Sequence, residues 1–160
     1  MNNLDFFKSC WQNELAATLN IFKSLPNDQL SYKPHPINRT AYEIVEHLVG
    51  HAADLVTIAS SNNCDETLTF NFANVEEAAN AYDQYSAQLL NILNDLTLDS
   101  WDNEYVELTI NGNPFITLKR CQMMWFFFFD IIHHRGQLST YIRPMGGKNP
   151  AVYGYSADTQ

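Results

Sequence analysis

The sequence predicts an all-α fold, a four-helix bundle with a short β-hairpin between the third and fourth helices. Four segments of roughly 20 residues carry apolar side chains at three- and four-residue spacing, which is typical of helices that bury one face. One short segment alternates apolar and polar residues and precedes an Asn-Gly pair, which indicates a hairpin. A chain of 160 residues can bury a substantial core, and we expect one domain over residues 1–160.

The first two helices have clear boundaries in the sequence. We expect the first helix over residues 4–25, because the proline that follows cannot continue it. The second helix opens with a capping box, in which Thr40 and Glu43 each satisfy a free backbone N–H group of the other. Its apolar face includes His47 and His51, so two ionisable side chains are expected to point toward the core.

The second half of the chain is expected to contain both helices and strands. Asn111-Gly112 is the strongest two-residue signal for a hairpin turn. The expected elements are a third helix over residues 75–96, strands over residues 105–110 and 115–118, and a fourth helix from residues 117–119 to residue 141 or 142.

Charge and composition exclude several classes of function. The formal net charge is −9 and the nine basic residues are scattered, so we expect neither nucleic acid nor an anionic membrane as a partner. The N-terminal residues have no basic region and no apolar stretch of the kind found in signal peptides, which favours a cytoplasmic protein. The three cysteines form no CxxC pair and are interpreted as reduced thiols.

Ionisable residues on apolar helix faces are the main functional signal. Asp130 and His134 are four residues apart and therefore share one face of the last helix, directly after the aromatic run 125–129. A carboxylate in such surroundings is costly unless it is paired or bound to a metal ion. His47 and His51 share a face of the second helix in the same way. Both a divalent metal site and a buried polar network agree with this pattern.

If a metal ion binds, two histidines and a carboxylate suit a divalent first-row ion such as Zn, Ni, Fe or Mn. A metalloprotease motif is excluded, because Leu48 stands where the zincin pattern requires Glu after the first histidine. No glycine-rich phosphate-binding motif occurs in the sequence, so a nucleotide cofactor has no motif behind it.

Two stretches of the chain resemble the DinB-like (DinB/YfiT) proteins. They are Glu-His-Leu at residues 46–48 and His-His-Arg-Gly-Gln-Leu at residues 133–138, which Arg-Pro-Met-Gly-Gly follows soon after. The resemblance covers nearly the whole chain. It implies a four-helix metalloenzyme fold, a homodimer and, as in some members, the transfer of a low-molecular-weight thiol that serves as co-substrate.

The resemblance also implies which residues bind the metal. The family ligands are one histidine on the second helix and an HxxxH pair on the last, and they correspond to His47, Asp130 and His134. Asp130 therefore stands where the family has a histidine, which changes the metal preference and lowers the Lewis acidity of the ion. Alternatively, Asp130 only orients a histidine and leaves a degenerate site. His51 is a further candidate, as a fourth ligand or a replacement, without support from the family pattern.

We therefore expect a divalent-metal-binding protein that, as an enzyme, transfers a thiol to a small electrophile. The alternatives are a metal-dependent hydrolase that acts on a small molecule at the same site, and a non-catalytic bundle with a degenerate metal site. We also expect Gly136 to allow close approach of a neighbouring helix, because a glycine inside a helix costs roughly 1 kcal/mol relative to alanine.

Overall fold

The computed structural model describes residues 1–159 and is mostly helical, with a small three-stranded sheet. The helices are α1 (Asn3–Lys23), α2 (Ala41–Ser60), α3 (Val75–Asp95), α4 (Leu98–Asn103) and α5 (Arg120–Ile142), and the strands are β1 (Asn63–Asp65), β2 (Tyr105–Ile110) and β3 (Asn113–Lys119). α1 and α2 each lie against both α3 and α5. The described residues thus contain a fifth, short helix and a third strand that the sequence did not predict.

The helix starts follow from side-chain caps. Asn2 accepts a hydrogen bond from the Asp5 N–H at the start of α1, and α2 begins with the predicted capping box of Thr40 and Glu43. The last helix begins at Arg120, later than the predicted residues 117–119. Those residues stay extended because they pair with β2, where Lys119 lies opposite Tyr105.

The sheet has the order β1-β2-β3, with β1 parallel to β2 and β2 antiparallel to β3. Asn111 and Gly112 join β2 to β3 with positive φ angles of 51° and 72°, as an Asn-Gly turn allows. β1 lies between α2 and α3, where the sequence predicts no strand. Its three residues are too few to show a period, and Asp65 ties it to the turn by accepting hydrogen bonds from the Thr109 hydroxyl and the Gly112 N–H.

The aromatic run of α5, residues 125–129, is only partly buried. Phe127 and Phe128 are buried, whereas Phe126 and Phe129 are 48% and 61% exposed. Five consecutive residues extend more than once around a helix of 3.6 residues per turn, so they cannot all face the core. Among the described residues, no helix is both long and apolar enough to cross a membrane.

Candidate metal centre

Side chains from two facing helices meet at one point beside the sheet. α2 supplies His47 and His51, and α5 supplies Asp130 and His134, each pair separated by one helical turn. The Nε2 atoms of His47, His51 and His134 lie 3.2, 2.9 and 3.3 Å from the same oxygen, Asp130 Oδ2. The structure therefore brings together the three residues singled out in the sequence, together with His51.

The imidazole rings are close to one another as well as to the carboxylate. The ring centroids of His47 and His51 are 4.0 Å apart, and those of His47 and His134 are 4.6 Å apart. Ligand atoms of His47, Asp130 and His134 all lie within 4.8 Å of each other, a spacing at which one ion can contact all three. Nitrogen and oxygen ligands lie about 2.0–2.2 Å from a bound zinc ion.

Two of the histidines are held in orientation by a second hydrogen bond. Asp54, with 1% of its surface exposed, lies with its Oδ2 atom 3.2 Å from Nδ1 of His51, and its Oδ1 accepts from the Thr67 N–H at 3.0 Å. Nδ1 of His134 lies 2.8 Å from the side-chain oxygen of Gln137. Both contacts direct Nε2 toward Asp130, in the way that supporting residues orient metal-binding histidines.

The surroundings of Asp130 favour its negatively charged form. Burial works against ionisation of Asp130, but hydrogen bonds from His134, His47 and His51 outweigh it and lower its pKa. Burial lowers the pKa of His47, which favours the neutral ring that a metal ion requires. Burial also acts to lower the pKa of His51, but its contacts with Asp130 and Asp54 raise it overall.

The raised pKa of His51 follows from the position of its ring between two carboxylates. Both of its ring nitrogens face carboxylate oxygens, so without an ion the ring is stabilised with a proton on each nitrogen. A divalent cation beside Nε2 would replace one of these protons while Nδ1 keeps its hydrogen bond with Asp54. Metal binding at such a site is coupled to proton release.

Glu66 is a second acidic group at the cluster, and the sequence interpretation missed it. Ligand atoms of His47, His51 and Glu66 also lie within 4.8 Å of one another. Burial raises the pKa of the Glu66 carboxyl, and the nearby carboxylates of Asp54 and Asp130 act in the same direction. No sequence signal could reveal this residue, because it follows β1, a strand too short to show a pattern.

Gly50 explains how Glu66 reaches the helices. A Cβ atom at Gly50 would lie 2.6 Å from the backbone oxygen of Thr67, so any other residue would push the segment after β1 away from α2. On the side of this segment that faces the sheet, the Glu66 N–H donates to the Thr109 carbonyl of β2. The backbone around Glu66 is therefore fixed between a helix and the sheet.

A cavity of about 240 Å³ opens next to the cluster. It is lined by the four ionisable residues of α2 and α5, by Glu66, and by five apolar side chains: Leu108, Ile110, Phe115, Phe126 and Phe127.

A larger cleft of about 650 Å³ lies elsewhere, beside the C-terminal end of α2. Its buried Arg120 donates to the Ser61 carbonyl and to Glu104, which gives this arginine a structural role.

Two residues next to the cluster take no direct part in it. His133 is exposed, as its position one residue off the apolar face predicts. The prediction for Gly136 is wrong: a Cβ atom added there would meet no atom of residues 1–159 within 4 Å, so no described helix approaches closely at this point. Gly136 is exposed and lies two residues after His134, so it points to a different side of α5.

The donor set fits a divalent first-row ion. It combines imidazole nitrogens with carboxylate oxygens, it has supporting hydrogen bonds, and it borders a cavity that leaves room for a further ligand.

Comparison with known proteins agrees with this architecture. The model of the DinB family matches residues 1–159. A DinB-like protein (YjoA) from Bacillus subtilis has a similar structure, with a TM-score of 0.72, 18% sequence identity, and coverage of 94% of this chain and 99% of that one. A DinB-like protein from Bacillus cereus ATCC 10987 gives a TM-score of 0.74 and 20% identity, over 92% of this chain and 95% of that one. A search of curated proteins finds no significant match.

Proposed function

Because the chain belongs to the DinB family, we propose that it forms one domain that binds a divalent metal ion through His47, Asp130 and His134. The observation that carries the proposal is the convergence of three imidazole Nε2 atoms on one carboxylate oxygen, Asp130 Oδ2. Such convergence places ionisable groups in a site that is partly shielded from water, which is costly unless they bind each other or a cation.

His51 is the fourth ligand in this proposal. Its hydrogen bond with a buried carboxylate, Asp54, is one of the arrangements that recur behind metal-binding histidines. Glu66 borders the same space and provides a further oxygen. The set of three histidines with one or two carboxylates suits Zn, Ni, Fe or Mn.

We further propose that the site transfers a low-molecular-weight thiol to a small electrophile in the cytoplasm. A bound divalent ion would supply the acidity that lowers the pKa of a thiol and holds it as a nucleophile. The support is the family membership together with the cavity beside the cluster. A hydrolase that activates water would use the same residues, and assays with thiol and with water as the only nucleophile separate the two reactions.

One observation favours a second candidate, a non-catalytic protein. The Asp130 carboxylate already has hydrogen bonds with His47 and His51 and an ion-pair contact with His134, so the cluster forms a connected polar network without an ion. Metal analysis of the purified protein decides between the two. We expect close to one tightly bound divalent ion per chain, and protein that stays metal-free after incubation with Zn, Ni, Fe and Mn would overturn the proposal.

Asp130 can be tested by two substitutions. We expect Asp130→Ala to release the metal ion, because it removes a ligand, whereas a loss of only about 10–100-fold would mean that Asp130 orients a histidine as a supporting residue. Asp130→His should retain the ion and shift the preference toward zinc, since imidazole is a softer ligand than carboxylate. Titration of metal into the apo forms measures both. Equal affinity in the wild type and both variants would remove Asp130 from the site and leave His51 as third ligand.

We also propose that the chain forms a homodimer. Phe6 on α1 and Phe129 on α5 are exposed, and both lie against Trp125, so they form one apolar surface outside the cavity. We expect sedimentation at micromolar concentration to give a dimer and Phe129→Glu to shift it to monomer. Leu98→Glu, at an exposed leucine of α4, is the control. A monomeric wild type would contradict the proposal.

A further inference from the structure

The cavity beside the metal cluster has one polar end and one apolar end. His47, His51, Glu66, Asp130 and His134 form the polar end. The opposite walls come from two different parts of the fold, the sheet with Leu108, Ile110 and Phe115, and α5 with Phe126 and Phe127. Sequence positions this far apart are brought together only by the packing of the β2–β3 pair next to α5.

Two of the walls are aromatic rings that the fold itself does not bury. Phe115 is 59% exposed and Phe126 is 48% exposed, although both adjoin the cavity. An exposed aromatic ring loses the free energy that burial would provide, about 25 cal/mol per Å² of apolar surface. Around a cavity with a polar end, exposed rings of this kind are typical of a binding site for a small molecule.

Charge restricts the ligand further. Among the residues that line the cavity, none is Lys or Arg, whereas Glu66 and Asp130 are acidic. The apolar end therefore has no counter-ion for a negatively charged group, and the carboxylates at the polar end would repel one. Burying a charge of either sign against apolar walls is also costly, so we expect the part of a ligand that fills the apolar end to be uncharged.

The volume of the cavity indicates how large a group it can enclose. An apolar cavity of about 150 Å³ is enough to hold benzene. The cavity of about 240 Å³ thus has room for one six-membered ring, or a short alkyl chain, with a few further atoms that extend toward the histidines.

From these observations we infer that the substrate carries an uncharged aromatic or short alkyl group, which Phe115 and Phe126 hold while its reactive end reaches the histidine cluster. This inference rests on the proposed metal-dependent function and adds a substrate class to it. Phe115 and Phe126 determine specificity in this assignment, and they have no part in holding the ion.

The test compares three thiols that share a head group and differ in their tails. Protein loaded with Co(II) is titrated with 2-phenylethanethiol, 2-mercaptoethanol and 3-mercaptopropionate, and the visible spectrum of the ion reports binding. We expect 2-phenylethanethiol to bind about 10-fold more tightly than 2-mercaptoethanol, because its ring is removed from water. The anionic 3-mercaptopropionate should bind most weakly.

Variants localise the effect. Phe115→Ala and Phe126→Ala should each reduce the preference for the phenyl tail several-fold and leave the Co(II) affinity unchanged. Tyr105→Ala is the matched control, because Tyr105 is 57% exposed on the same sheet but does not line the cavity. Equal binding of the phenyl and hydroxyl thiols, or tightest binding of the anionic one, would overturn the inference.

A separate arm distinguishes this inference from the proposed function. If Co(II) does not bind, the metal proposal fails, and toluene is then titrated into the apo protein while NMR shifts are recorded. Shifts centred on Leu108, Phe115 and Phe126 would still support an apolar ligand. Shifts absent from these residues would overturn the inference as well.

Discussion

His134→Ala is expected to abolish tight metal binding. The substitution removes a ligand whose Nε2 lies 3.3 Å from Asp130 Oδ2 and whose ring is already oriented by Gln137. The loss of affinity should exceed the range of about 10–100-fold that follows removal of a supporting residue. It is measured by titrating Zn into the apo protein against a competing chelator.

The control for this prediction is His35→Ala. His35 is an exposed histidine in the loop before α2 and is not part of the cluster, so its removal changes histidine content without changing the site. Metal affinity of this variant should equal that of the wild type. If His134→Ala binds Zn as tightly as His35→Ala, the cluster on α2 and α5 is not the metal centre.

Asp54→Ala should cause a large loss of stability. The carboxylate is buried and contacts Nδ1 of His51 and the N–H of Thr67, so its removal leaves both partners without their acceptor in the interior. We expect the free energy of unfolding to fall by about 3 kcal/mol in the metal-free protein. Denaturant unfolding measures this change. Asp83→Ala, at an exposed aspartate of α3, should change it by less than about 0.5 kcal/mol.

Asp54→Asn separates the stabilising role of this residue from its effect on the metal. An asparagine keeps the shape and can still accept from the Thr67 N–H through its oxygen, so the stability loss should be smaller. Its NH₂ group would then face Nδ1 of His51 and move the ring proton to Nε2, which prevents that nitrogen from binding a metal ion. We expect metal affinity to fall about 10–100-fold in this variant. Unchanged affinity would exclude His51 as a ligand.

The site combines features that arise at different levels of structure. The i, i+4 spacing within each helix places His47 with His51, and Asp130 with His134. Only the packing of α2 against α5 brings the two pairs to one carboxylate oxygen. The supporting residue Asp54 is also helical, but its partner Thr67 comes from the segment after β1. The sequence predicts the pairs, whereas their meeting point is a tertiary property.

The sequence by itself determined the local features. The capping box of Thr40 and Glu43, the positive φ angles at Asn111-Gly112 and the inward position of His51 all follow from residue type and spacing over a few positions. The short-range rules that govern them involve only backbone geometry and neighbouring side chains.

The tertiary structure decided what depends on long-range contacts. It pairs residues 117–119 with β2 and so delays the start of α5, it leaves Gly136 facing solvent, and it exposes Phe126 at the edge of the cavity. It also packs the segment that contains Glu66 and Thr67 closely against α2 at Gly50. The residues next to each of these positions in the sequence do not indicate which structure forms there. The free energy that selects the structure comes from contacts with residues distant in the chain.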